Sequence, residues 1–460
     1  MSWGGVADQL ARLAGVEIAL FVAAAADAAD SPGQVLGLVE EAARAASGRI
    51  GQAMIQKTLA VSTGYSGTAT ECGCGCQAVF KGTRRKTVAT MSGPVKYERA
   101  WYHCQACGGG FAPGDAGLGL AGKMSPGLAK ACSMAGMEMP YRKAVELIGA
   151  VAGVTLTAPS SLARTCRRIG SAAKARADVE QVAASDGTLT FLPPGAAPKV
   201  AYMLADGTGA PMVPAETASR PGKGLDGRSH TREIKIGCFF TQQAPAAGVE
   251  PVRDQNSNSY VATFGDADQF ADLLKAEHIR RGFHRARQQV IIGDGAKWIW
   301  NIANRDWPEA VQIVDYYHAC EHVHAIVNQL AFMLTRPKEL AEKLTSCLYR
   351  GDIQSMADVI AALHLKPKLA ARIDKQMDYF RRNQHRMRYD HYQSKGWFIG
   401  SGQVESACKT IVAQRAKQSG MRWTITGLTP IITMRALHQS GRDHLIWDRP
   451  SPQTNRAQAA

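Results

Sequence analysis

Three carboxylates in this chain have the surroundings that metal-dependent chemistry at a phosphate needs. Asp206 closes the apolar run Val200-Ala201-Tyr202-Met203-Leu204-Ala205 and is followed by Gly207-Thr208-Gly209. A buried strand that stops on Asp-Gly presents its carboxylate at the end of a sheet, with no bulky neighbour in a ligand's way. Asp294 repeats the arrangement after Val290-Ile291-Ile292-Gly293, just ahead of a helical start at Trp298-Ile299-Trp300. Glu405, in Gly400-Ser401-Gly402-Gln403-Val404-Glu405-Ser406, opens a helix predicted to reach about Gln418 and to stop at Gly420.

Hard divalent cations such as Mg2+ or Mn2+ take oxygen ligands. Two such ions held by shared carboxylates stabilise both the attacking and the leaving oxygen of an in-line displacement. Two Asp on adjacent parallel strands and one Glu on a packed helix would supply that cage. Each acid also has a plainer reading: Asp-Gly is a common turn, and Glu405 fits the third position of a helix cap begun at Gly402.

The residues around these acids carry a family likeness. The runs IIGDGAKWIW (291–300), VDYYHACEH (314–322), GSGQVESACK (400–409) and MRW (421–423) resemble those of bacterial insertion-sequence DDE transposases of the Kra type, relatives of the Mutator-like transposases. The likeness extends over roughly residues 65–440. It implies an RNase H-like catalytic core whose acids are Asp206, Asp294 and Glu405, and an Asp-x-x-His element matched by Asp315 and His318. It also implies a zinc ribbon ahead of the core.

Cysteine spacing points to a second site. Cys72-Gly73-Cys74-Gly75-Cys76 is followed, after 27 residues, by Cys104-Gln105-Ala106-Cys107-Gly108. Two cysteine knuckles at hairpin tips, joined by short strands, are the geometry of a zinc ribbon, in which four thiolates close a tetrahedral structural site. Five cysteines compete for four places, and no pair among Cys72, Cys74 and Cys76 has the usual two-residue spacing. Free thiols in a Gly-rich loop are the alternative.

Basic residues gather at three places. Arg84-Arg85-Lys86 lies between the cysteine pairs. From residue 140 the pattern reads helix, Gly-rich turn, helix, with Ser160 as N-cap and Arg164, Arg167 and Arg168 close together on the second helix. That is how a recognition helix meets DNA, although two short helices joined by glycine also make a plain linker. Arg381-Arg382 and the run from His385 to Tyr389 suggest a surface that tracks a nucleic-acid backbone, or else a solvated helix face. His318, His322 and His324 also lie close in sequence, and a structural histidine is commoner than a ligand.

The elements that must position these groups follow from composition and pattern. With 460 residues, 45% hydrophobic and 20% charged, the chain suits a globular protein of two or three domains. Its 54 basic against 39 acidic residues leave +15, which favours a polyanionic partner, DNA before membrane. The longest apolar run, Ile18 to Ala26, is too short to span a bilayer, and its flanks lack a secretory pattern. The reading is cytoplasmic, with no membrane partner. Eleven cysteines, an odd number, disfavour a fully paired disulfide framework.

Residues 1–60 read as two or three amphipathic helices with Val6, Leu10, Leu13 and Val16 on one face, a cap or self-association element, with direct DNA contact as the alternative. From Val200 the order is three strands, helix, strand, helix, strand, and residues 317 to about 393 read as helices throughout. The expected class is therefore α/β: an RNase H-like core with an all-helical insertion, preceded by a zinc ribbon and a helix-turn-helix region. The divisions are an N-terminal helical region (1–66), ribbon (67–115), helix-turn-helix (116–185), catalytic domain (198–440, insertion about 321–395) and tail (441–460), with Pro193 to Pro198 marking the boundary before the core.

The function this organisation implies is DNA transposition. Two Mg2+ or Mn2+ ions and a structural zinc would be the cofactors, and insertion-sequence ends, target DNA and a second or further copy of the chain the partners. A catalytically silent DNA-binding regulator on the same scaffold, and an RNase H-like nuclease, are the other readings.

Overall fold

The computed structural model describes residues 3–31, 33–120, 122–154, 158–189, 197–218, 220–222, 227–242 and 249–447. The predicted boundary at 193–198 lies mostly outside the described residues, as does most of the C-terminal tail. The chain divides into two compact units, Met1–Arg168 and Ile169–Ala460.

The first unit begins with a helical hairpin, α1 (Trp3–Ala29) and α2 (Val35–Leu59), tied midway by Arg49 Nε to Glu17 Oε2 at 2.7 Å. By length and composition α1 is long and apolar enough to cross a membrane, unlike the shorter run visible in the sequence. Val6, Leu10 and Leu13 share the inner face as predicted, but Val16 turns outward and Glu17 takes its place in the covered stripe.

A four-stranded antiparallel sheet follows, in the order β1 (Ala69–Glu71), β2 (Gln77–Thr90), β3 (Gly93–His103), β4 (Gly110–Phe111). Ala78, Ala100 and Tyr102 are buried beneath it, with Phe80 and Phe111 packed alongside. Asp115 in α3 (Pro113–Gly117) then gathers Lys86, Arg99 and the Tyr97 hydroxyl. Next come α4 (Pro126–Glu138, capped by Ser125), α5 (Tyr141–Ala152, ended by left-handed Gly153) and the start of α6 (Pro159–Ser185). Proline stands at the first position of α6, so Ser160 lies within its first turn and is not the predicted N-cap. Leu162 and Cys166 press on Gly136, where a Cβ would come within 2.7 Å of both.

The second unit is built on a mixed five-stranded sheet in the order β7-β6-β5-β8-β9. Its elements are β5 (Val200–Pro211), β6 (Thr231–Gln242), β7 (Ser259–Thr263), α7 (Ala267–Arg280), β8 (Gln288–Gly293), α8 (Lys297–Asp306) and β9 (Val311–Val314). β5, β6 and β7 pair antiparallel, whereas β5, β8 and β9 run parallel. This is the predicted succession, with one difference. β5 does not stop at Asp206 but continues to Pro211, because its antiparallel partner β6 keeps pairing as far as Thr231.

Helices occupy the rest as predicted: α9 (Tyr316–Leu330), α10 (Pro337–Tyr349), α11 (Ile353–Ala361), α12 (Pro367–Asn383) and α13 (Tyr389–Ser394). The helix bearing Glu405 is shorter and less regular than predicted. It comprises α14 (Gly402–Ala407), a π-helical turn (Cys408–Ala413) and α15 (Gln414–Ala416). Buried Arg435, from α16 (Ile425–Gln439), donates to the carbonyls of Thr410 and Ile411 at 3.0 and 3.1 Å, satisfying groups that the widened turn displaces. The chain ends its described part with α17 (His444–Trp447).

Candidate functional site

The parallel register decides where the first two acids stand. β5 and β8 pair from Val200 opposite Gln288 to Ala205 opposite Gly293, and the next residue on each strand is an acid. Asp206 and Asp294 are therefore level, each one step beyond the last parallel pair, in the plane where β8 leaves the sheet. β8 ends there because Gly295 takes φ +97° and Asp294 Oδ1 accepts from Ala296 N at 2.9 Å, turning the chain into α8.

Glu405 reaches the same place from the helix side. Asp206 Oδ1 accepts from Gly207 N at 2.6 Å, and Oδ2 accepts from the Cys408 thiol at 3.2 Å, one helical turn beyond Glu405. Thr208 lies on the same face of β5 as Asp206 and accepts from Lys417 Nζ at 2.7 Å. Glu405 itself accepts from Ser401 Oγ at 3.1 Å. It sits at the fourth helical position, not the third, after N-cap Ser401.

Electrostatics tie the three acids together. Burial raises the Asp206 carboxyl above the ordinary carboxylate range, the charges of Asp294 and Glu405 push it the same way, and the Cys408 and Gly207 donors only partly oppose this. Among the described residues none of the three forms an ion pair. Nor do the three close into a group with all ligand atoms within 4.8 Å; only the cysteines do. The result is a partly buried, uncompensated concentration of hard oxygen donors, the chemistry a divalent cation requires.

Asp315, fully buried, fastens the site. Its backbone N donates to Gly293 O at 2.8 Å, and Tyr316 N donates to Ile399 O at 2.9 Å. Its carboxylate caps α9 by accepting from His318 N at 2.7 Å and also accepts from Ser401 N, the N-cap of the Glu405 helix. One side chain thus joins the end of β9 to the start of α14. Gly400 is required at this crossing, because a Cβ there would meet the Tyr317 ring at 2.7 Å.

His318 and His322 approach each other at 5.1 Å between rings, and His322 stacks on Tyr379 at 3.9 Å. Tyr379 in turn donates to the Asp294 carbonyl at 3.1 Å. Burial, then His318, lower the His322 pKa, while Glu321 and Asp294 oppose the change. His318 Nδ1 lies 3.3 Å from Glu321. His324, one residue out of helical phase with this pair, is exposed.

The cysteine cluster is resolved to four residues. Cys72, Cys74, Cys104 and Cys107 bring their sulfurs within 4.8 Å of one another and could hold a metal such as zinc; Cys76 is outside the group. The sulfurs of Cys72 and Cys107, and those of Cys74 and Cys104, are 3.7 Å apart. A tetrahedron with metal–sulfur bonds of about 2.3 Å requires about 3.8 Å between sulfurs. The knuckles form because Gly75 N donates to Cys72 O, Cys72 N to Cys76 O and Cys104 N to Gly109 O, each at 2.8 Å. The Cys76 backbone N–H, helped by the other thiols, draws the Cys74 thiol down to about 6. Cys72 goes up to about 12: a backbone bond from Cys74 opposes burial and the neighbouring thiols, which prevail.

The basic residues fall into different environments. Arg164 and Arg167 are exposed on α6 with Arg168 half-buried beside them, while Leu162 and Cys166 fill the opposite face. Arg84 stacks on Trp101 at 4.4 Å, Arg85 pairs with Glu98, and Lys86 is held by Asp115. Arg381 is spanned by Asp374 and Asp378, and Arg382 Nε donates to Asp378 O. The run from His385 to Tyr389 reaches the surface only in part. His385 and Arg388 are exposed, whereas Met387 and Tyr389 are fully buried, and Arg386 is stacked on Trp300 at 4.5 Å while donating to Gln312.

Compared with known protein families and with curated proteins, the chain matches none. Three partners of the acids escaped the sequence reading. Cys408 carries a usable signal, since three residues beyond Glu405 in a helix is the same face. Ser401 and Tyr379 carry none, because their roles depend on segments that meet only in the folded chain.

Proposed function

We propose that this protein is a DNA transposase of the DDE type, with Asp206, Asp294 and Glu405 as its catalytic acids. The observation that carries the proposal is the parallel register that sets Asp206 and Asp294 level at the end of β5 and β8, with Glu405 electrostatically coupled to Asp206 from the packed helix. On this reading the second unit is an RNase H-like core, and most of α9 together with α10 to α13, about 321–395, is its all-helical insertion. The cysteine group is a structural zinc ribbon, and the arginine stripe of α6 is a DNA-reading helix. A net charge of +15 suits a DNA partner.

Two Mg2+ or Mn2+ ions, when bound, would supply charge stabilisation at the attacking and leaving oxygens of a phosphodiester. Asp206, Asp294 and Glu405 would hold them, since all three are oxygen donors without a cationic partner. Ser401 holds Glu405 through its hydroxyl, Cys408 and Gly207 hold the two oxygens of Asp206, and the Ala296 N–H holds Asp294. Cleavage at an element end frees a 3′ hydroxyl, and that hydroxyl then attacks target DNA in a second in-line displacement.

The test uses duplexes carrying the terminal repeats that flank the coding sequence, with Mg2+ or Mn2+ present. Asp206→Asn, Asp294→Asn and Glu405→Gln should each abolish cleavage and joining while DNA binding persists. The triple variant should be scarcely worse than any single one, because groups that act as a unit are non-additive. Cleavage that survives a single substitution removes that residue from the set. Hydrolysis without end specificity or joining would make the protein a nuclease.

A further inference from the structure

The first helix is apolar on more sides than its partner covers. Val6, Leu10, Leu13, Glu17, Phe21 and Ala28 form the covered stripe of α1, packed on α2. A second stripe, Ala11, Gly15, Ile18, Val22, Ala25 and Ala29, advances by four and three residues alternately and contains no polar side chain. It is open: Ile18 is 57% and Val22 58% exposed. On α2, Leu36 and Met54 stand out at 79% and 50%. A helix in a two-helix hairpin needs one apolar seam, whereas a helix in a four-helix bundle needs two.

We infer that this second seam is where a second copy of the same hairpin docks, two hairpins closing a four-helix bundle. The inference does not rest on the catalytic reading. Its dimensions suffice: a helix of 27 residues is about 40 Å long, and two helices abreast present about 800 Å² per partner, the size of a standard stable interface. A bilayer is the wrong occupant. α2 lies along α1, joined through Glu17 and Arg49, and carries Glu40, Glu41, Arg44, Arg49 and Lys57, so the hairpin cannot enter hydrocarbon without them. The membrane surface and DNA are also disfavoured, because with Glu17 and Arg49 paired the two helices still bear Asp8, Asp27, Glu40 and Glu41 against Arg12, Arg44 and Lys57, an acidic balance that anionic headgroups and phosphates do not attract.

The test is sedimentation velocity of the full chain over a range of concentrations, with helical content and the thermal transition followed in parallel. Wild type should sediment with the mass of two chains or a multiple of it. Ile18→Lys with Val22→Lys should give monomer at the same concentrations with unchanged helicity. The milder Ile18→Ala with Val22→Ala, which removes only exposed methyl groups from a monomer, should weaken association by about tenfold or more. Three results overturn the inference: a monomeric wild type, an association untouched by both pairs of substitutions, or flotation of the wild type with anionic phospholipid vesicles that the lysine pair abolishes.

Discussion

Asp315→Ala separates an acid that builds the site from the acids proposed to act in it. Asp315 is fully buried and accepts from two backbone donors, His318 N at the start of α9 and Ser401 N at the start of α14. Removing the carboxylate deletes a helix N-cap, worth about 1 kcal/mol. It also leaves a second buried N–H without its charged acceptor, worth a further 1–3 kcal/mol or so. The expected loss is about 2–4 kcal/mol, and it should fall on the second unit. Tryptophan fluorescence in a urea titration reads that unit, since Trp298, Trp300, Trp307, Trp397, Trp423 and Trp447 are six of the eight tryptophans. Asp206→Asn is the reference. The native carboxyl is raised above its unfolded value, so its contribution is greatest below the unfolded pKa and is lost as pH rises through the folded pKa. An amide has no such cost, and the variant should match or exceed wild type at neutral pH. Asp315→Ala losing less than about 1 kcal/mol, or Asp206→Asn losing as much as Asp315→Ala, would refute the assignment of roles.

Two further outcomes are expected. The purified protein should carry about one zinc ion, with cobalt substitution giving a tetrahedral thiolate spectrum; Cys104→Ser should abolish both and Cys76→Ser neither, because only Cys76 lies outside the four-sulfur group. Neutralising Arg164 and Arg167 should weaken DNA binding and flatten its dependence on salt, whereas neutralising Arg381 should change little, since Asp374 and Asp378 already balance it; filter or anisotropy titrations at several salt concentrations distinguish the two.

Local pattern was enough to place most elements. The run from Val200 to Ala205 is apolar because β5 is buried on both faces, and a strand covered on both sides needs no alternation. Pro337 opens α10 and Ile353 begins α11 where the periodicity starts, because a proline at the first helical position and an apolar stripe are properties of adjacent residues. Asp206 and Asp294 stand out as candidates for the same reason: a carboxylate next to glycine after an apolar run is a local feature. The four-cysteine group was visible as five candidates.

Tertiary structure alone decided the rest, and in each case the deciding partner is remote in sequence. Asp206 lies inside a strand, not at its end, because β6 extends further than β8 does, and no residue near Asp206 encodes the length of β8. Cys76 is left out of the sulfur group because the fold of both hairpins, not spacing, brings Cys72 and Cys74 against Cys104 and Cys107. Arg386 looked like a surface base and is buried because Trp300 and Gln312, more than seventy residues earlier, give its guanidinium a ring and an acceptor. Composition sets what a side chain can do within a turn or two of helix or strand. What it does depends on which distant groups remain near it once water has been excluded, and that exclusion belongs to the whole fold.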